Sequence, residues 1–384
     1  MDGHGAIYTR AMRLGARYAL VDGLLVPGDV EIAEGRITAV GVAGSGRGIA
    51  APGFVDVHIH GFAGVDFATA DEDGYRRATE ALLETGVTSF RPSFITAPED
   101  ELVAALAAVP RGLGAHLEGP FISPERLGMH PAAARRDPDP ALLERLLAAG
   151  PVAHMTLAPE LAGAAELIDV LVARGITVAC GHTNATAAEA YAAFDRGAVH
   201  VTHLFNAMRP FTHRDPGIAG AALARDDVTV ELILDGNHLS DEAVQLALRS
   251  APGRIALVTD ACAAARMGDG EWKMGSVDVF VRNGAARLAD GTLAGSVLTI
   301  PEAIRDLVRI GATVEQALHG RVAPLARPRR GRRRCRAQRG LARTDRGVPN
   351  RRTPRPVTRK GRRRCRCARP APRACRAPRC GRRR

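Results

Sequence analysis

Eight short apolar runs recur along the middle of the chain with helical stretches between them, and this alternation constrains the fold more than any other feature. The intervals are rich in Ala, Leu and Glu at helical spacing, as in 75–84, 142–149 and 187–195. Strands that alternate with helices predict a parallel sheet, and eight such units predict an α/β fold of the (β/α)8 TIM-barrel type. The predicted strands are 54–57, 88–90, 113–117, 152–157, 177–179, 201–202, 228–234 and 255–258.

Two further β-like runs, 18–26 and 29–42, precede the barrel and are broken at Pro27–Gly28 and Gly35. They predict that residues 1–50 form the N-terminal part of a small β-sandwich-like domain. The barrel is then expected to occupy residues 51–320.

Residues 321–384 differ from the rest of the chain in composition. They hold 27 of the 53 Lys and Arg and one acid, Asp345, so residues 1–320 carry 26 basic and 40 acidic side chains. The first part therefore has the charge of an ordinary acidic enzyme. The Arg- and Pro-rich tail has little aliphatic content with which to build a core, and we expect it to be disordered.

The tail's arginine clusters, such as 332–334 and 362–364, raise the alternative of phosphate contacts to nucleic acid. The tail has no aromatic residue to stack on bases and no histidine for a zinc finger. We therefore expect no specific nucleic-acid partner, although nonspecific adhesion remains open.

The cellular compartment is predicted from cysteine usage and hydropathy. Only Cys180 and Cys262 lie before the tail, which does not indicate a disulfide framework and suits a reducing compartment. No apolar run resembles a signal peptide or a membrane span of about 20 residues. We expect a cytoplasmic protein without a membrane partner.

Residues that can bind metals or transfer protons close six of the eight predicted strands. In a barrel of this type the active site lies at the C-terminal ends of the strands. His58 and His60 follow the first strand, and residues i and i+2 of a strand point to the same face, so the two imidazoles can share one cation. An HxH pair also occurs by chance in loops; its position here is what favours a metal site.

Three more strand ends carry metal-binding side chains. Glu118 follows the third strand, where a carboxylate can bind one metal or bridge two, and its apolar surroundings argue against a solvated loop acid. His182 and His203 follow the fifth and sixth strands and supply imidazoles typical of zinc or iron sites. A single histidine is more often structural than a ligand, but two at separate strand ends favour ligation.

Asp260 ends the eighth strand, where a carboxylate can take a proton from an activated water and return it to a leaving amine. The alternative role is a helix N-cap. Arg214 can bind a phosphate through two parallel hydrogen bonds, or it can form a surface ion pair with Asp215. His130 and His238 occupy positions suited to substrate handling. Five further histidines are expected to be structural or exposed: His116, His154, His200, His213 and His319.

Together the motifs PGFVDVHIHG, HLEGPF, GHTNA, THLFNAM, DGNH, LVTDA and LAGSVLT resemble the N-acetylglucosamine-6-phosphate deacetylases of the amidohydrolase superfamily. The resemblance covers about residues 18–318. It implies a metal-dependent enzyme of amino-sugar catabolism that converts the sugar phosphate N-acetylglucosamine 6-phosphate to glucosamine 6-phosphate and acetate. It also implies a homodimer, with a phosphate site that the two subunits could share.

The resemblance implies roles for individual residues. Glu118, His182 and His203 match the residues that hold the catalytic metal, zinc or iron. His58 and His60 match a pair that holds a second metal in some members, so the number of ions is one or two. Asp260 matches the catalytic acid–base, and either His130 or His238 would polarise the acetyl carbonyl. The substrate-binding positions are Met129, His130, Asn206, Ala207, Arg214, Asp235, His238, Leu293, Ala294 and Gly295.

Composition excludes one common variant of such metal sites. Many amidohydrolases bridge two metals with a carboxylated lysine after the fourth strand. This chain has two lysines, Lys273 and Lys360, and neither is near that strand. If two metals bind, Glu118 must bridge them.

The resemblance ends near residues 319–321, where family members continue with a helix and short strands that complete the small β-domain. We therefore expect the C-terminal part of that domain to be missing here. One explanation is a shifted reading frame in a GC-rich gene, which the other two frames after codon 318 would reveal. Two other functions stay open: an amidohydrolase acting on a different amide, and an inactive barrel with a nonspecifically basic tail.

Overall fold

The computed structural model describes residues 11–44 and 46–319. Within this part of the chain, the helices are α1 (Glu72–Glu84), α2 (Glu99–Ala108), α3 (Pro140–Ala149), α4 (Ala164–Ala173), α5 (Ala187–Arg196), α6 (Gly217–Ala224), α7 (Asp241–Ser250), α8 (Ile300–Ile310) and α9 (Val314–His319). The strands are β1 (Met12–Arg13), β2 (Tyr18–Val21), β3 (Leu24–Pro27), β4 (Asp29–Ala33), β5 (Arg36–Val42), β6 (Ile49–Ala50), β7 (Phe54–Ile59), β8 (Gly61–Phe62), β9 (Val65–Asp66), β10 (Val87–Ile95), β11 (Ala115–Glu118), β12 (Val152–Leu157), β13 (Thr177–Cys180), β14 (His200–Val201), β15 (Thr229–Leu232), β16 (Ile255–Leu257), β17 (Gly270–Met274), β18 (Val277–Arg282) and β19 (Ala285–Arg287).

Eight parallel strands form the central sheet in the order β16-β15-β14-β13-β12-β11-β10-β7. Each overlaps one of the eight predicted strands, and neighbours in the sheet follow the order of the chain. Helices α1 to α8 separate or follow these strands and pack their apolar faces on the outside of the sheet. The (β/α)8 fold is confirmed.

The first and last barrel strands meet at a seam that is formed by residues at their C-terminal ends. Ile59 and Ala261 form an isolated parallel bridge. The amide of Asp260 donates to the carbonyl of His58 at 2.9 Å, and the amide of His60 donates to the carbonyl of Ala261 at 2.8 Å. The barrel is thus closed by the backbone of three of the predicted site residues.

The alternation of side chains along β7, continued one residue past its end, explains why His58 and His60 point the same way. Val57 and Ile59 pack into the apolar core between sheet and helices, whereas Asp56 and His58 point into the barrel, where both are fully buried. The carboxylate of Asp56 accepts from the hydroxyl of Thr259 at 2.6 Å, which ties the same seam from inside.

Local sequence signals fix the helix ends, as α5 illustrates. The amide of Thr186 donates to the carboxylate of Glu189 at 2.8 Å, and the amide of Glu189 donates back to the Thr186 hydroxyl at 3.4 Å. Gly197 ends the helix in the left-handed conformation, at a φ of 113°. A reciprocal cap of this kind stabilises a helix by about 1 kcal/mol.

The barrel interior is polar, although the interiors of such barrels are usually filled by branched aliphatic side chains. A chain of hydrogen bonds crosses it from Ser93 to His116 at 2.9 Å, from His116 to Thr156 at 2.8 Å and from Thr156 to Thr202 at 2.7 Å. These side chains lie beneath the strand ends that carry the predicted site, so a hydrogen-bonded chain of polar groups forms part of the floor of that site.

The N-terminal residues form two small sheets, β1-β4-β5 and β3-β2-β6, which confirms the predicted β-element. The single run predicted over 18–26 is wrong, because Asp22 and Gly23, at φ of 49° and 82°, form a two-residue turn that splits it into a hairpin. Large apolar side chains remain exposed on these sheets, among them Leu24 at 69% and Ile37 at 66%. The expectation that the C-terminal part of this β-domain is missing concerns residues after 319, which lie outside the described part of the chain.

An antiparallel sheet of β17, β18 and β19 was not predicted within the barrel region. Its signal is present: β-branched valines recur at every second position, 277, 279 and 281, and Asn283–Gly284 is a two-residue hairpin turn. Val279 and Val281 are buried in a second apolar cluster with Met129 and Ala294. This sheet therefore supports one wall of the predicted site.

No helix in the described ranges has the length and apolar character needed to cross a bilayer. The expectations for residues 321–384, that they are disordered and have no specific nucleic-acid partner, fall outside the described part of the chain. The domain limits at residues 50 and 320 stay predictions.

Candidate active site

A cavity of about 200 Å³ opens at the C-terminal ends of the barrel strands. Five predicted metal or acid–base residues reach it from separate strand ends, while His58 lies fully buried directly beneath. The residues that line it are His60, Glu118, Gly128, Met129, His130, His182, His203, Asn206, Ala207, His238, Asp260, Thr292, Leu293 and Gly295.

Glu118, His182 and His203 form the first set of converging donors, which we call the first donor set. The Oε1 atom of Glu118 lies 3.0 Å from the Nε2 atoms of both histidines, and these two nitrogens lie 3.0 Å from each other. All three side chains are at least nine-tenths buried. A solvated loop acid at position 118 is therefore excluded.

His58, His60 and Asp260 form the second donor set. The Nε2 atoms of the two histidines are 3.1 Å apart, and the Asp260 Oδ1 atom lies 3.1 Å from His60 and 3.5 Å from His58. The second oxygen of Glu118, Oε2, lies 3.4–3.5 Å from both histidines. The two oxygens of Glu118 thus face different sets: Oε1 faces the histidines of the first donor set, and Oε2 faces those of the second.

Fixed tautomers direct imidazole lone pairs into this space. His182 Nδ1 lies 2.9 Å from the Arg126 carbonyl, and His60 Nδ1 lies 3.0 Å from the Ser93 carbonyl. Carbonyl oxygens only accept hydrogen bonds, so Nδ1 carries a hydrogen in both rings, and in the neutral form of each ring Nε2 is the nitrogen that can bind a cation.

This arrangement fits one or two cations of the zinc or iron class. Imidazole lone pairs and carboxylate oxygens that face each other repel unless positive charge lies between them. Three donors 3.0 Å apart are close enough for a single ion with bonds of about 2.0–2.2 Å to contact them all. Imidazole and carboxylate together are the ligands that zinc and iron accept.

The charged groups of the cluster shift one another's pKa values. Burial disfavours the charged imidazole of His60, but the carboxylates of Asp260 and Glu118 outweigh burial and raise its pKa to about 9. Burial likewise opposes ionisation of Asp260, but His58 and His60 lower its pKa to about 2. Asp260 is therefore ionised at neutral pH and able to accept a proton.

Four predicted site residues other than glycine have a left-handed backbone that such residues rarely adopt. The φ angles are 46° at His182, 30° at His203, 45° at Ala207 and 49° at Asp260. Such strain costs about 1–3 kcal/mol per residue and concentrates at functional sites. Asp260 is therefore not a helix N-cap; its backbone turns sharply to aim the carboxylate at the second donor set.

His130 presents a hydrogen-bond donor to the cavity. The backbone amide of Thr96, which can only donate, lies 3.2 Å from His130 Nδ1, so the hydrogen of the neutral ring is on Nε2. Burial is the main cause that lowers the pKa of His130 to about 4, and the nearby charge of His182 is the second cause. His130 is therefore a neutral donor whose Nε2 lies 3.4 Å from Glu118 Oε2.

His238 has the opposite character. Its Nδ1 donates to the carboxylate of Asp235 at 2.8 Å. Burial disfavours the charged ring, but Asp235 outweighs it and raises the pKa of His238. Asp235 therefore serves to hold His238 at the cavity wall and does not line the cavity itself.

The remaining predicted substrate residues fall into two groups. Met129, Asn206, Ala207, Leu293 and Gly295 line the cavity, whereas Ala294 is fully buried behind it. Arg214 is exposed and lies outside the lining. The surface ion pair considered for Arg214 and Asp215 is wrong, because Arg209 pairs with that carboxylate at 2.6 Å.

The structure adds residues that the sequence did not single out. Thr96 fixes the tautomer of His130, and Thr292 lines the cavity. Glu231, in the middle of β15, accepts from His58 Nδ1 at 3.0 Å. No local pattern marks Glu231, since a strand-centre acid reveals its partner only when the barrel closes.

Gly295 allows a close backbone approach behind Asp260. Its φ is 64°, and a Cβ atom there would lie 2.8 Å from the Asp260 carbonyl oxygen. We expect Gly295→Ala to lower the free energy of unfolding by about 1–3 kcal/mol, measured by urea denaturation. Gly291→Ala is the control, because Gly291 also has positive φ but no atom within 4 Å of its Cβ position. Equal losses in both variants would show that the contact with Asp260 contributes nothing.

Comparison with known families and proteins agrees with this geometry. Residues 49–352 match the model of the amidohydrolase family. A Rattus norvegicus N-acetylglucosamine-6-phosphate deacetylase is 41% identical over 297 residues, which are 71% of this chain and 72% of that protein. An Escherichia coli O157:H7 N-acetylgalactosamine-6-phosphate deacetylase is 36% identical over 316 residues, 78% of this chain and 84% of that protein.

Solved structures show that the similarity extends to the overall fold. An N-acetyl-D-glucosamine-6-phosphate deacetylase variant from Mycobacterium smegmatis, in complex with N-acetyl-D-glucosamine-6-phosphate, superimposes with a TM-score of 0.77 at 38% identity. The match covers 81% of this chain and 88% of that chain. The deacetylase from Thermotoga maritima gives a TM-score of 0.73 at 35% identity, covering 80% and 86%.

Proposed function

Because the chain belongs to the amidohydrolase family, among the N-acetylglucosamine-6-phosphate deacetylases, we propose that it hydrolyses the acetamide of N-acetyl-D-glucosamine 6-phosphate. The products would be D-glucosamine 6-phosphate and acetate, within amino-sugar catabolism. One observation carries the proposal: two donor sets share Glu118 at the floor of a cavity whose walls supply a neutral donor and an ionised acid.

The first donor set would hold the catalytic metal, and the second would hold another ion if two bind. When bound, the metal would supply positive charge that activates water and polarises the amide oxygen. Zinc and iron both suit these ligands.

Asp260 acts as the general base and then as the general acid. Its carboxylate takes a proton from the attacking water while the new carbon–oxygen bond forms. The carbon–nitrogen bond then breaks, and Asp260 passes the proton to the sugar nitrogen, which leaves as an amine. Its low pKa keeps the carboxylate ionised before the reaction begins.

Of the two histidines considered for polarising the acetyl carbonyl, His130 is the better placed. It is neutral, its hydrogen is on Nε2, and that atom lies 3.4 Å from Glu118 Oε2, beside the two donor sets. A donor of this kind stabilises the negative oxygen of the tetrahedral intermediate. His238, paired with Asp235, would bind the sugar through its other ring nitrogen.

Replacing His130 tests this assignment. We expect His130→Leu to lower kcat by about 10²–10³-fold with little change in KM, because the donor acts mainly in the transition state. The zinc content should stay at the wild-type level. His213→Leu, at an exposed histidine outside the cavity, should leave kcat unchanged. A normal kcat in His130→Leu would assign the carbonyl to His238 instead.

We propose that Arg214 binds the phosphate, since the exposed loop that carries it follows the Asn206–Ala207 wall of the cavity. We expect Arg214→Ala to lower kcat/KM for the phosphorylated substrate by about 10–100-fold, the strength of a charge-assisted hydrogen bond. Turnover of unphosphorylated N-acetylglucosamine should not change. Arg305→Ala, at an exposed arginine of α8, is the control. Equal losses with both substrates would rule out a phosphate contact.

The central experiment measures acetate release by the purified, zinc-loaded chain from three substrates. These are N-acetylglucosamine 6-phosphate, its galacto epimer, and N-acetylglucosamine without phosphate. The highest kcat/KM with the first supports the proposal, whereas preference for the epimer would match the Escherichia coli relative. No release from any of them by folded, metal-loaded protein would contradict the deacetylase function and favour another amide or an inactive barrel.

Two further properties stay proposals. One is a cytoplasmic location, which rests on cysteine usage and hydropathy. The other is a homodimer, which rests on the resemblance and which sedimentation at several concentrations would test. If the subunits share the phosphate site, kcat/KM for the phosphorylated substrate should fall as the dimer dissociates.

A further inference from the structure

Glu231 is a carboxylate buried without any solvent contact in the barrel interior. Burying an ionised carboxylate costs several kcal/mol unless partners compensate for the lost water. The contacts of Glu231 therefore indicate what it does.

A single oxygen of Glu231 makes both of its side-chain hydrogen bonds. The Oε2 atom accepts from His58 Nδ1 at 3.0 Å and from the backbone amide of His203 at 3.1 Å. The backbone carbonyl of Glu231 also accepts from the amide of Leu204 at 2.9 Å. Glu231 thus accepts hydrogen bonds from one residue of each donor set.

Each contact constrains a ligand. The bond to His58 fixes the hydrogen on Nδ1, so the lone pair of Nε2 faces the other two members of the second donor set. The bonds to His203 and Leu204 hold a corner where His203 has a strained φ of 30°. A carboxylate that orients a histidine ligand in this way also increases the basicity of the ring.

The other oxygen, Oε1, makes no comparable contact. The nearest ring nitrogen, His200 Nε2, is 3.5 Å away, and within residues 11–44 and 46–319 neither atom has a hydrogen-bond partner. His154, the next histidine below, has no partner at either ring nitrogen in that same part of the chain. The bonds of Glu231 are therefore directed to the metal-binding side and not to the histidines beneath it.

We propose that Glu231 is a positioning residue that couples the two donor sets, holding the ring of His58 and the backbone of His203 with one carboxylate oxygen. The inference rests on the proposed metal-dependent function. Its consequence is that a change at Glu231 weakens metal binding although the residue would not contact the metal.

The experiment compares zinc binding by the full chain and by Glu231→Gln, which keeps the side-chain volume but removes the charge. We expect zinc to bind about 10–100-fold more weakly, as measured by competition with a chelator. The d–d absorption spectrum of the cobalt-loaded variant should also shift, because the ring of His58 is no longer fixed. The metal-free variant should keep the wild-type circular dichroism.

His200→Gln is the matched control, since it changes a buried side chain of the same interior that lies against His154 and the other Glu231 oxygen, Oε1, and not against Oε2. Wild-type zinc affinity in Glu231→Gln overturns the inference, and so does an equal loss of affinity in His200→Gln. If Glu231→Gln does not fold, Glu231→Asp takes its place with the same criteria. Failure of the proposed function itself is distinguishable, because the wild-type chain would then bind zinc without releasing acetate or would not bind it.

Discussion

Replacing Asp260 with Asn is expected to lower kcat for acetamide hydrolysis by about 10²–10⁴-fold, the usual contribution of a general acid–base. The amide keeps the shape of the side chain but cannot take the proton of the attacking water. It also cannot return a proton to the leaving nitrogen. KM should change little, because the carboxylate acts on the reacting atoms and not on the phosphate or sugar. Acetate release under saturating substrate measures the effect.

The pH dependence gives a second readout for the same residue. The pKa of Asp260 is lowered to about 2 by His58 and His60, so the wild-type base stays ionised from neutral pH down to strongly acidic conditions. The residual activity of Asp260→Asn should not depend on the ionisation of a carboxylate at this position. Asp100→Asn, at an exposed position of α2, is the control. A kcat within threefold of wild type in Asp260→Asn would assign the proton transfer to another group.

Replacing Glu118 with Gln is expected to weaken zinc binding by more than about 100-fold and to abolish activity at limiting zinc. Removing a group that only orients a metal ligand already costs about 10–100-fold in affinity, and Glu118 faces both donor sets directly. The neutral amide loses the charge that attracts the cation. Its NH₂ group also points a donor at one of the two sets.

Thermal unfolding measures this loss. At 100 times its dissociation constant, zinc should stabilise the wild-type chain by about 2.7 kcal/mol and raise its Tm. The same zinc concentration should leave the Tm of Glu118→Gln nearly unchanged. Glu101→Gln, at an exposed position of α2, should respond like wild type. An equal zinc-induced shift in Glu118→Gln would mean that the metal binds elsewhere.

The barrel and its site residues could be predicted because both follow from local patterns. Each strand is a short apolar run between helical stretches, and each overlaps its predicted position. The strand-end rule then selects Glu118, His182, His203 and Asp260, since parallel strands bring their C-terminal ends to one face. The structure places these four side chains around one cavity.

What could not be predicted depends on contacts between distant segments. Glu231 and His58 are 173 positions apart in the sequence, and their hydrogen bond exists only because the barrel closes. The tautomer of His130 depends on the amide of Thr96, which no side-chain pattern reveals. The sheet of β17 to β19 differs, because its Asn283–Gly284 turn was a readable signal.

The seam between β7 and β16 joins residues that are synthesised at very different times during translation. His60 leaves the ribosome about 200 residues before Asp260, which corresponds to roughly 10–40 s at ~5–20 residues per second. During that interval the nascent chain carries a histidine pair without the carboxylate and strand that complete its surroundings. The second donor set is therefore complete only after the last barrel strand has been translated, whereas all three side chains of the first donor set are present once His203 has been added. A chain truncated before Asp260 would carry the first donor set and a second set without its carboxylate.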